Sequence, residues 1–258
     1  IAANICLYEN RGNGGAQMSQ NEILTGTGTA STPVGKPTFD ADQLFREHKD
    51  SVVGLSDVVA LGPNQIPVTL GSGFAIDKVG YGTSVDCRFA TDNHVISTVT
   101  DKAKLTTPDG QSYPFEVELH DSANDLAILK VKGLPSSQCQ PLELVEDERA
   151  LGSSDSVLKL GARTGTVGST AGAVETYFER RLAAHLPLLP GEDPGRSMVS
   201  VITQDRNSQS GDSGGPILRA DGKVVAIMEA EGIGVIAGTP SAALAQDLAS
   251  VKAGAGSD

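Results

Sequence analysis

A glycine-flanked serine is the part of this sequence best suited to covalent chemistry. Ser213 lies in the run Ser210-Gly211-Asp212-Ser213-Gly214-Gly215-Pro216, and a short apolar segment follows directly. A serine hydroxyl attacks a carbonyl carbon only when a base removes its proton and N–H donors stabilise the oxyanion, so its neighbours must leave room for both. Glycines on either side leave that room. The run therefore predicts a nucleophile at Ser213 rather than a plain glycine-rich turn.

The order of residues along the chain restricts the catalytic geometry that can include this serine. Residues 211–215 also fit the nucleophile elbow of α/β-hydrolases, in which the acid and then the histidine follow the serine. No histidine follows Ser213 in this chain, so the elbow is excluded. The subtilisin order is excluded as well, because the glycine-rich histidine and serine motifs of that family are absent. The order that remains is histidine, aspartate, serine.

Four histidines are candidates for the general base. His94 is the best placed, because it ends an apolar strand where a loop would present its side chain to a cleft. The other three have plainer explanations: His48 lies on a predicted helix, His120 at the end of a predicted strand and His185 in the segment 183–194. We therefore predict His94 as the base and treat the others as structural or exposed.

The acid that would orient this histidine is predicted at Asp125. This residue immediately precedes the apolar strand of residues 126–131. A barrel strand would hold its carboxylate close to the histidine Nδ1 atom. Asp121 is the alternative acid.

The elements that must position these residues are short β-rich segments separated by turn residues. A first set comprises residues 67–70, 72–76, 87–90, 115–119 and 126–131, and a second set comprises residues 157–160, 172–178, 198–202, 215–218, 224–228 and 235–237. Segments of this length and spacing are typical of an antiparallel all-β sandwich or barrel. The polar stretch 133–140 separates the two sets, and Asp221-Gly222 predicts a hairpin turn in the second. We therefore expect two β-domains of similar size.

Helices are predicted near the two ends of the folded region. Residues 40–49 begin with an N-cap aspartate, and residues 241–251 follow a proline with apolar residues at helical spacing. Residues 1–38 are rich in Gly, Ser, Thr, Asn and Gln, which predicts a flexible arm. The predicted organisation is an arm at 1–38, a first β-barrel at 39–140 with His94 and Asp125, a second at 141–240 with Ser213, and a helix and tail at 241–258.

Length and charge exclude several classes of function. A chain of 258 residues with 39% hydrophobic content can bury the cores of two small barrels without metals or other staples. Its formal net charge of -12 disfavours binding to nucleic acid or to anionic lipid. We find no apolar run of about 18 residues that would span a membrane and no signal peptide, so the N-terminus does not reveal the compartment.

Cysteines and metal-ligand types give weaker signals. The three cysteines allow one disulfide at most, and none forms a CxxC pair. A bridge between Cys6 and Cys139 would tie the arm to the connector between the barrels, although we favour free buried thiols. The histidines are dispersed and form no HExxH motif, so we predict neither a metal site nor a cofactor.

Five motifs together resemble those of trypsin-like serine proteases and, within these, the HtrA/Deg type. They are Gly71-Ser72-Gly73-Phe74, Ala90-Thr91-Asp92-Asn93-His94-Val95-Ile96, Asp125-Leu126-Ala127-Ile128-Leu129-Lys130-Val131, Gly211-Asp212-Ser213-Gly214-Gly215-Pro216 and Asp221-Gly222-Lys223-Val224-Val225. The likeness extends over residues 40–251 and is weakest at 163–196. It implies a chymotrypsin-like fold, an all-β chain of two six-stranded antiparallel β-barrels with a short N-terminal helix and a C-terminal helix.

The same resemblance implies a serine endopeptidase that cleaves extended or unfolded polypeptides. Its triad would be His94, Asp125 and Ser213, and the backbone N–H groups of Gly211 and Ser213 would form the oxyanion hole. The polypeptide substrate would be its partner, without a cofactor, nucleic acid or a membrane span. The resemblance favours a secreted or periplasmic location. HtrA relatives often form homotrimers through N-terminal segments, but the arm has too few aromatic residues for us to assign an oligomer.

Two features depart from the HtrA pattern. Asp212 stands where many HtrA proteins carry asparagine, and we expect no PDZ domain after residue 251. In digestive-type relatives the corresponding aspartate pairs with a freshly cleaved N-terminal isoleucine. A pairing between Ile1 and Asp212 is therefore a hypothesis to consider. We disfavour this pairing because residues 1–38 form the predicted arm.

Substrate preference is predicted from three residues. In the family, the residue six before the nucleophile often lines the primary pocket, and Asn207 holds that position with an uncharged side chain. Glu229 and Glu231 lie on the strand expected to pair with substrate backbone, and their charges would disfavour acidic residues near the cut site. We expect cleavage after uncharged residues of small to medium size.

Two other functions are compatible with the same sequence. One is a catalytically silent protease-fold domain that acts as a scaffold or binding module, since sequence alone does not reveal whether the oxyanion hole is formed. The other is a hydrolase of non-peptide esters on the same fold. Reaction with a fluorophosphonate would separate enzyme from scaffold, and parallel turnover of casein and esters would separate the two enzymes.

Overall fold

Two β-sheets, one from each half of the chain, form most of the structure. The computed structural model describes residues 37–61, 64–147, 155–163, 166–178, 198–203, 211–232 and 235–254. The arm predicted at residues 1–38 lies almost wholly outside these residues.

The helices and strands follow one another in the order expected for an all-β chain with a helix near each end. In chain order they are α1 Ala41–His48, β1 Val52–Leu61, β2 Asn64–Val79, β3 Ser84–Asp92, α2 Asn93–Ile96, β4 Lys104–Thr106, β5 Ser112–Tyr113, β6 Glu116–Asp121, β7 Leu126–Pro135, β8 Ser156–Arg163, β9 Thr166–Phe178, β10 Met198–Thr203, β11 Pro216–Arg219, β12 Val224–Gly232, β13 Val235–Pro240 and α3 Ser241–Gly254. The N-cap predicted for α1 is present, because Asp40 Oδ1 accepts a hydrogen bond from Gln43 N at 2.9 Å. The predicted all-β class with two terminal helices is therefore confirmed.

Both sheets are antiparallel throughout. The first has the strand order β5-β4-β1-β2-β3-β7-β6, and the second closes into a barrel in the order β10-β13-β12-β11-β8-β9. The closed barrel has the predicted six strands. The first sheet has seven among the described residues, because the short β4–β5 hairpin extends it beyond β1. The segments predicted at 67–70 and 72–76 are parts of one strand, β2, which continues through Gly71.

The central strands of the first sheet are buried on both faces. Leu126 and Ile128 of β7 belong to a core shared with residues of the second sheet, which we call the interbarrel core. Ala127 and Leu129 belong to a different core inside the first sheet. Successive residues of a strand point to opposite faces, so a strand between two cores must be apolar at almost every position. The apolar run of residues 126–129 at the start of β7 has this origin.

The interbarrel core also includes one residue from α1 and two from α3. These are Leu44, Leu244 and Leu248, each at most 9% exposed. Full burial of such a side chain contributes roughly 1.5–3 kcal/mol to stability. The two terminal helices therefore help to hold the sheets together. No helix in the described part of the chain is long and apolar enough to cross a membrane.

A disulfide joins Cys87 on β3 to Cys139, just after β7. Both side chains are fully buried in the core of the first sheet, and their Cα atoms are 5.8 Å apart. This pairing corrects both earlier expectations for Cys139, the bridge to Cys6 and the free thiol. Cys6 lies outside the described residues. The reason is strand parity, because Cys87 points into the same core as Phe89, and that core is closed by the segment that contains Cys139.

Helix α3 contacts the first sheet through charged groups as well as through leucines. Lys252 Nζ lies 2.8 Å from Asp77 Oδ1 of β2. Asp247, one turn earlier, is half-buried, and its Oδ2 atom is buried with no hydrogen-bond partner among the described residues. Burial, together with the charge and hydrogen bond of Asp121, raises the pKa of Asp247 to about 6.

This raised pKa gives folding stability a dependence on pH. The folded chain favours the protonated form of Asp247, so the stabilisation is present below about pH 4 and is lost as pH rises through about 6. We expect Asp247→Asn to raise Tm relative to wild type at pH 7.5 more than at pH 4. With allowance for solvent screening, the stabilisation by Asp247→Asn should be larger at pH 7.5 than at pH 4 by ~1 kcal/mol, which corresponds to about 2–4 °C in Tm. Thermal unfolding at both pH values measures it, with the exposed Asp101→Asn as control. Equal Tm changes at the two pH values would contradict the assignment.

Candidate active site

His94 and Asp125 are brought together by two paired strands. Strand β3 ends at Asp92 and β7 begins at Leu126, and these two residues are partners in the register. His94 follows β3 in the single turn of α2, and Asp125 immediately precedes β7. Pairing of the strands therefore places the histidine beside the aspartate, as the sequence predicted.

Asp125 contacts His94 at two points and the neighbouring Asn93 at a third. Its Oδ2 atom lies 2.7 Å from His94 Nδ1, and its Oδ1 atom accepts a hydrogen bond from the His94 backbone N–H at 2.8 Å. Its carbonyl oxygen accepts a third bond from the Asn93 N–H at 3.0 Å. Asp125 has φ 54°, and it is the one non-glycine residue with positive φ in the described ranges. This left-handed conformation turns both carboxylate oxygens back toward the histidine.

Asp121, the alternative acid, has a different role. Its Oδ1 atom accepts hydrogen bonds from the N–H groups of Ala123 and Asn124 at 3.0 and 3.1 Å. Its Oδ2 atom accepts from Asn124 Nδ2 at 2.6 Å. Thr239 of the second barrel donates to the Asn124 carbonyl at 2.9 Å. Asp121 thus closes the loop that carries Asp125, while Asp125 itself contacts the imidazole.

A second carboxylate, which sequence reasoning did not single out, lies close to the same ring. Asp92 is fully buried, and its Oδ2 atom is 3.9 Å from His94 Nδ1. Its position two residues before His94 on β3 was the available signal.

The same residues form the one cluster in the described ranges that could hold a metal ion. The ligand atoms of Asp92, His94 and Asp125 lie within 4.8 Å of one another. The short bond to Asp125 already engages His94 Nδ1, which a metal at this point would have to displace. The arrangement therefore suits proton transfer better than coordination.

Ser213 lies at the junction of the two sheets. Its carbonyl oxygen accepts a hydrogen bond from Ser72 N of β2 at 2.7 Å, and its hydroxyl donates to the Glu229 carbonyl oxygen at 3.2 Å. The next residue, Gly214, packs so closely on the end of β3 that a Cβ atom there would overlap the Thr91 hydroxyl. The structure thus brings the turn of residues 211–215, which we call the serine turn, against β3, the strand that precedes His94. The serine hydroxyl itself is directed toward Glu229.

Hydrogen bonds fix the backbone around Ser213. Gly214 N donates to the Met228 carbonyl at 2.7 Å, and Gly215 N donates to the Asp212 carbonyl at 3.0 Å. The Gly211 carbonyl accepts from the Ser72 hydroxyl at 2.6 Å. None of the backbone hydrogen bonds of the described residues uses the N–H of Gly211 or Ser213. These two N–H groups are the predicted oxyanion donors.

The partner of Asp212 comes from inside the second barrel. Lys159 of β8 places its Nζ atom 2.5 Å from Asp212 Oδ2, and the two side chains are 3% and 2% exposed. Ile1, the other partner considered, lies outside the described residues. Lys159 was not predicted, because in the sequence it reads as the polar residue of an alternating strand.

The predicted substrate-binding residues fare differently. Asn207 lies outside the described residues. The Glu229 side chain is 3% exposed, so it faces the interior, and the group that this residue offers to the site is its carbonyl oxygen. Glu231 belongs to β12, but its side chain is not among those described.

Comparisons with known proteins agree with this geometry. The model of the family "Trypsin-like peptidase domain" matches residues 71–227, so the chain belongs to the trypsin-like peptidases. Within that class it is similar to proteases of the HtrA type. It is 26% identical over 191 residues, 72% of the chain, to "Protease Do-like 1, chloroplastic" of Arabidopsis thaliana. It is 30% identical over 171 residues, 64% of the chain, to "Probable periplasmic serine endoprotease DegP-like" of Chlamydia pneumoniae.

A solved structure supports the fold independently. "HtrA-type protease AlgW with decapeptide" superposes with a TM-score of 0.66 and 17% sequence identity, covering 82% of this chain and 67% of that one. The present chain spans 40% of the length of the Arabidopsis relative and 29% of the Chlamydia relative.

Proposed function

We propose that this chain is a serine endopeptidase that cleaves extended or unfolded polypeptides through Ser213, His94 and Asp125. The observation that carries the proposal is the 2.7 Å contact between His94 Nδ1 and Asp125 Oδ2, beside the turn that bears Ser213. A carboxylate on Nδ1 holds the proton on that nitrogen and leaves the Nε2 lone pair for the serine.

The first half of the reaction forms an acyl-enzyme. The Ser213 hydroxyl turns from the Glu229 carbonyl to His94 Nε2, which takes its proton as Oγ attacks the peptide carbonyl carbon. The oxyanion that forms accepts hydrogen bonds from the N–H groups of Gly211 and Ser213. The C–N bond then breaks, and the imidazolium gives its proton to the leaving amine.

The second half returns the enzyme to its starting state. Water takes the place of the amine, gives a proton to His94 Nε2 and attacks the acyl carbon. The ester bond to Ser213 breaks, and the proton returns to Oγ. Asp125 stays ionised throughout and stabilises the imidazolium in both halves. Asp92 adds negative charge at the same ring.

An extended polypeptide fits the strand beside the serine. Pairing of β12 with β11 reaches only from Val224 to Ile227, whereas pairing with β13 continues to Gly232. Among the described residues, the edge of residues 230–232 opposite β13 therefore carries no partner strand. Such an edge binds an extended chain through main-chain hydrogen bonds. With Asn207 uncharged, we retain the preference for cleavage after uncharged residues of small to medium size.

The relatives also suggest where the chain works. Their names give periplasmic and chloroplastic locations. The buried Cys87–Cys139 disulfide favours an oxidising compartment for this chain. We therefore retain a secreted or periplasmic location as part of the proposal.

One observation favours a second candidate, a silent scaffold. The Ser213 hydroxyl donates to the Glu229 carbonyl at 3.2 Å, an arrangement in which the serine is not activated. Catalytic hydrogen bonds are often unformed without substrate, so this geometry by itself does not decide between the two.

The deciding experiment is covalent labelling. We expect a fluorophosphonate to add once to the native protein, at Ser213 by peptide mapping, and not to Ser213→Ala or to the heat-unfolded chain. In parallel, casein should be cut into peptides, and the inhibited protein should not cut it. If the folded protein takes up no label, the catalytically silent scaffold is the function that remains. Labelling with ester turnover but without peptide cleavage would instead indicate an esterase.

A further inference from the structure

A buried lysine in the second barrel has no part in the proposed reaction and yet lies against the nucleophile's neighbour. Lys159 of β8 is 3% exposed, and its Nζ atom is 2.5 Å from Asp212 Oδ2. Desolvating either charge is costly, and removing one partner of a buried pair is strongly destabilising because the other charge is left buried without compensation. Neither side chain would be buried in its charged form without a compensating charge nearby.

The position of Asp212 gives this ion pair a functional meaning. Asp212 lies between Gly211 and Ser213, whose N–H groups are the proposed oxyanion donors. Asp212 is 1% exposed, so its carboxylate reaches solvent only if the backbone at this residue rotates, and that rotation turns the peptide groups on both sides. The direction of the Asp212 carboxylate and the direction of the two donors are therefore linked through the backbone.

The end of β8 is shaped to receive this carboxylate. A Cβ atom on Gly161 would overlap Asp212 Oδ1, so only glycine leaves the space that the carboxylate fills. At Ala162, the backbone N–H donates to the Ser72 hydroxyl at 2.8 Å, and that hydroxyl donates to the Gly211 carbonyl at 2.6 Å. Residues 159–162 thus hold the segment between the two donors, directly at Asp212 and through Ser72 at the Gly211 carbonyl.

We propose that Lys159 is a positioning residue for the oxyanion hole. Its ammonium group holds Asp212 inward and thereby keeps the N–H groups of Gly211 and Ser213 directed at one point. The inference rests on the proposed function, because it concerns the same donors. The inference adds that the conformation of residues 211–213 is held by a cation inside the second barrel, the ammonium group of Lys159.

The test is a double-mutant cycle on the full chain. In Lys159→Met the Asp212 carboxylate loses its cation and turns outward, so kcat for a peptide substrate should fall at least 100-fold, the loss typical of one missing oxyanion donor. KM should change little, because the substrate-binding strand is untouched. In Lys159→Met/Asp212→Asn the neutral amide needs no cation, so most of kcat should return. Circular dichroism gives the folded fraction of each variant, and kcat is expressed per folded molecule, so that a loss of fold alone does not count as a loss of kcat.

Lys130→Met serves as the matched control, because Lys130 is 19% exposed and pairs with Asp86 at 3.4 Å on the first sheet. Its kcat should remain within about twofold of wild type. A Lys159→Met protein with unchanged kcat, or a folded double variant no more active than Lys159→Met, would overturn the inference. If Lys159→Met does not fold, activity of the double variant decides. An unreactive wild-type protein would refute the proposed function and this inference with it, whereas an active wild type beside an unimpaired Lys159→Met refutes this inference alone.

Discussion

Replacing Asp125 with asparagine is expected to lower kcat about 10⁴-fold. The carboxylate accepts from both the ring and the backbone N–H of His94, so it holds the tautomer with the proton on Nδ1. An asparagine amide that keeps its oxygen on the backbone N–H turns its NH2 group to the ring. That NH2 group requires an acceptor at Nδ1, so the proton moves to Nε2 and the base is lost. Asparagine also tolerates the left-handed backbone at this position, so the fold should persist.

The matched control is Asp121→Asn. Asp121 is also an aspartate of the β6–β7 connection, but it bonds to Ala123 and Asn124. Losing one of those bonds should change kcat by no more than about tenfold. Steady-state kinetics on one peptide substrate, with circular dichroism to verify the fold, compares the two variants. A larger loss for Asp121→Asn than for Asp125→Asn would reverse the assignment of the acid.

Replacing Gly214 with alanine is expected to be the most damaging single methyl group that can be added near the site. Gly214 has φ +85°, and a Cβ atom there would overlap the Ser72 carbonyl oxygen and the Thr91 hydroxyl. The left-handed backbone costs about 1–2 kcal/mol and the forced backbone shift about 1–3 kcal/mol more. We therefore expect the free energy of unfolding to fall by roughly 2–5 kcal/mol. Displacement of Ser213 by about 1 Å should also lower kcat roughly 100-fold.

Gly110→Ala separates the two causes. Gly110 has nearly the same backbone, φ +83°, but a Cβ atom there meets nothing within 4 Å. This variant should lose only about 1–2 kcal/mol and retain wild-type kcat. Chemical denaturation gives the free energies of unfolding. Equal losses in the two variants would indicate that the contact between the serine turn and β3 is looser than described.

The pair His94 and Asp125 could be predicted from the sequence because its determinants are local. Each residue lies next to one end of an apolar segment, and segments that pair as antiparallel neighbours in a sheet bring these ends together. The loop chemistry around Asp121 could not be separated from that of Asp125 in the same way. Both precede β7, and only the left-handed turn at Asp125 decides which carboxylate faces the ring.

Lys159 could not be predicted because its environment is made by a distant segment. It is 53 residues from Asp212 in the chain, and an alternating strand would ordinarily turn such a lysine to solvent. It is buried because the turn of residues 211–215 packs over β8. The disulfide was missed for a related reason, since pairing Cys87 with Cys139 requires knowing that β3 and the end of β7 close the same core.

The Cys87–Cys139 bridge bears on how long such an enzyme survives its own activity. A peptidase that cuts unfolded chains will also cut any copy of itself that opens, so its working lifetime depends on the rate and extent of opening. The bridge closes a loop of 52 residues that contains both His94 and Asp125, which limits how far that part of the chain can unravel. In a reducing medium, where the bridge is open, the same molecule would be more readily cleaved by other copies of the enzyme. If the chain has the proposed activity, we expect this cross-link to contribute resistance to autolysis rather than to catalysis.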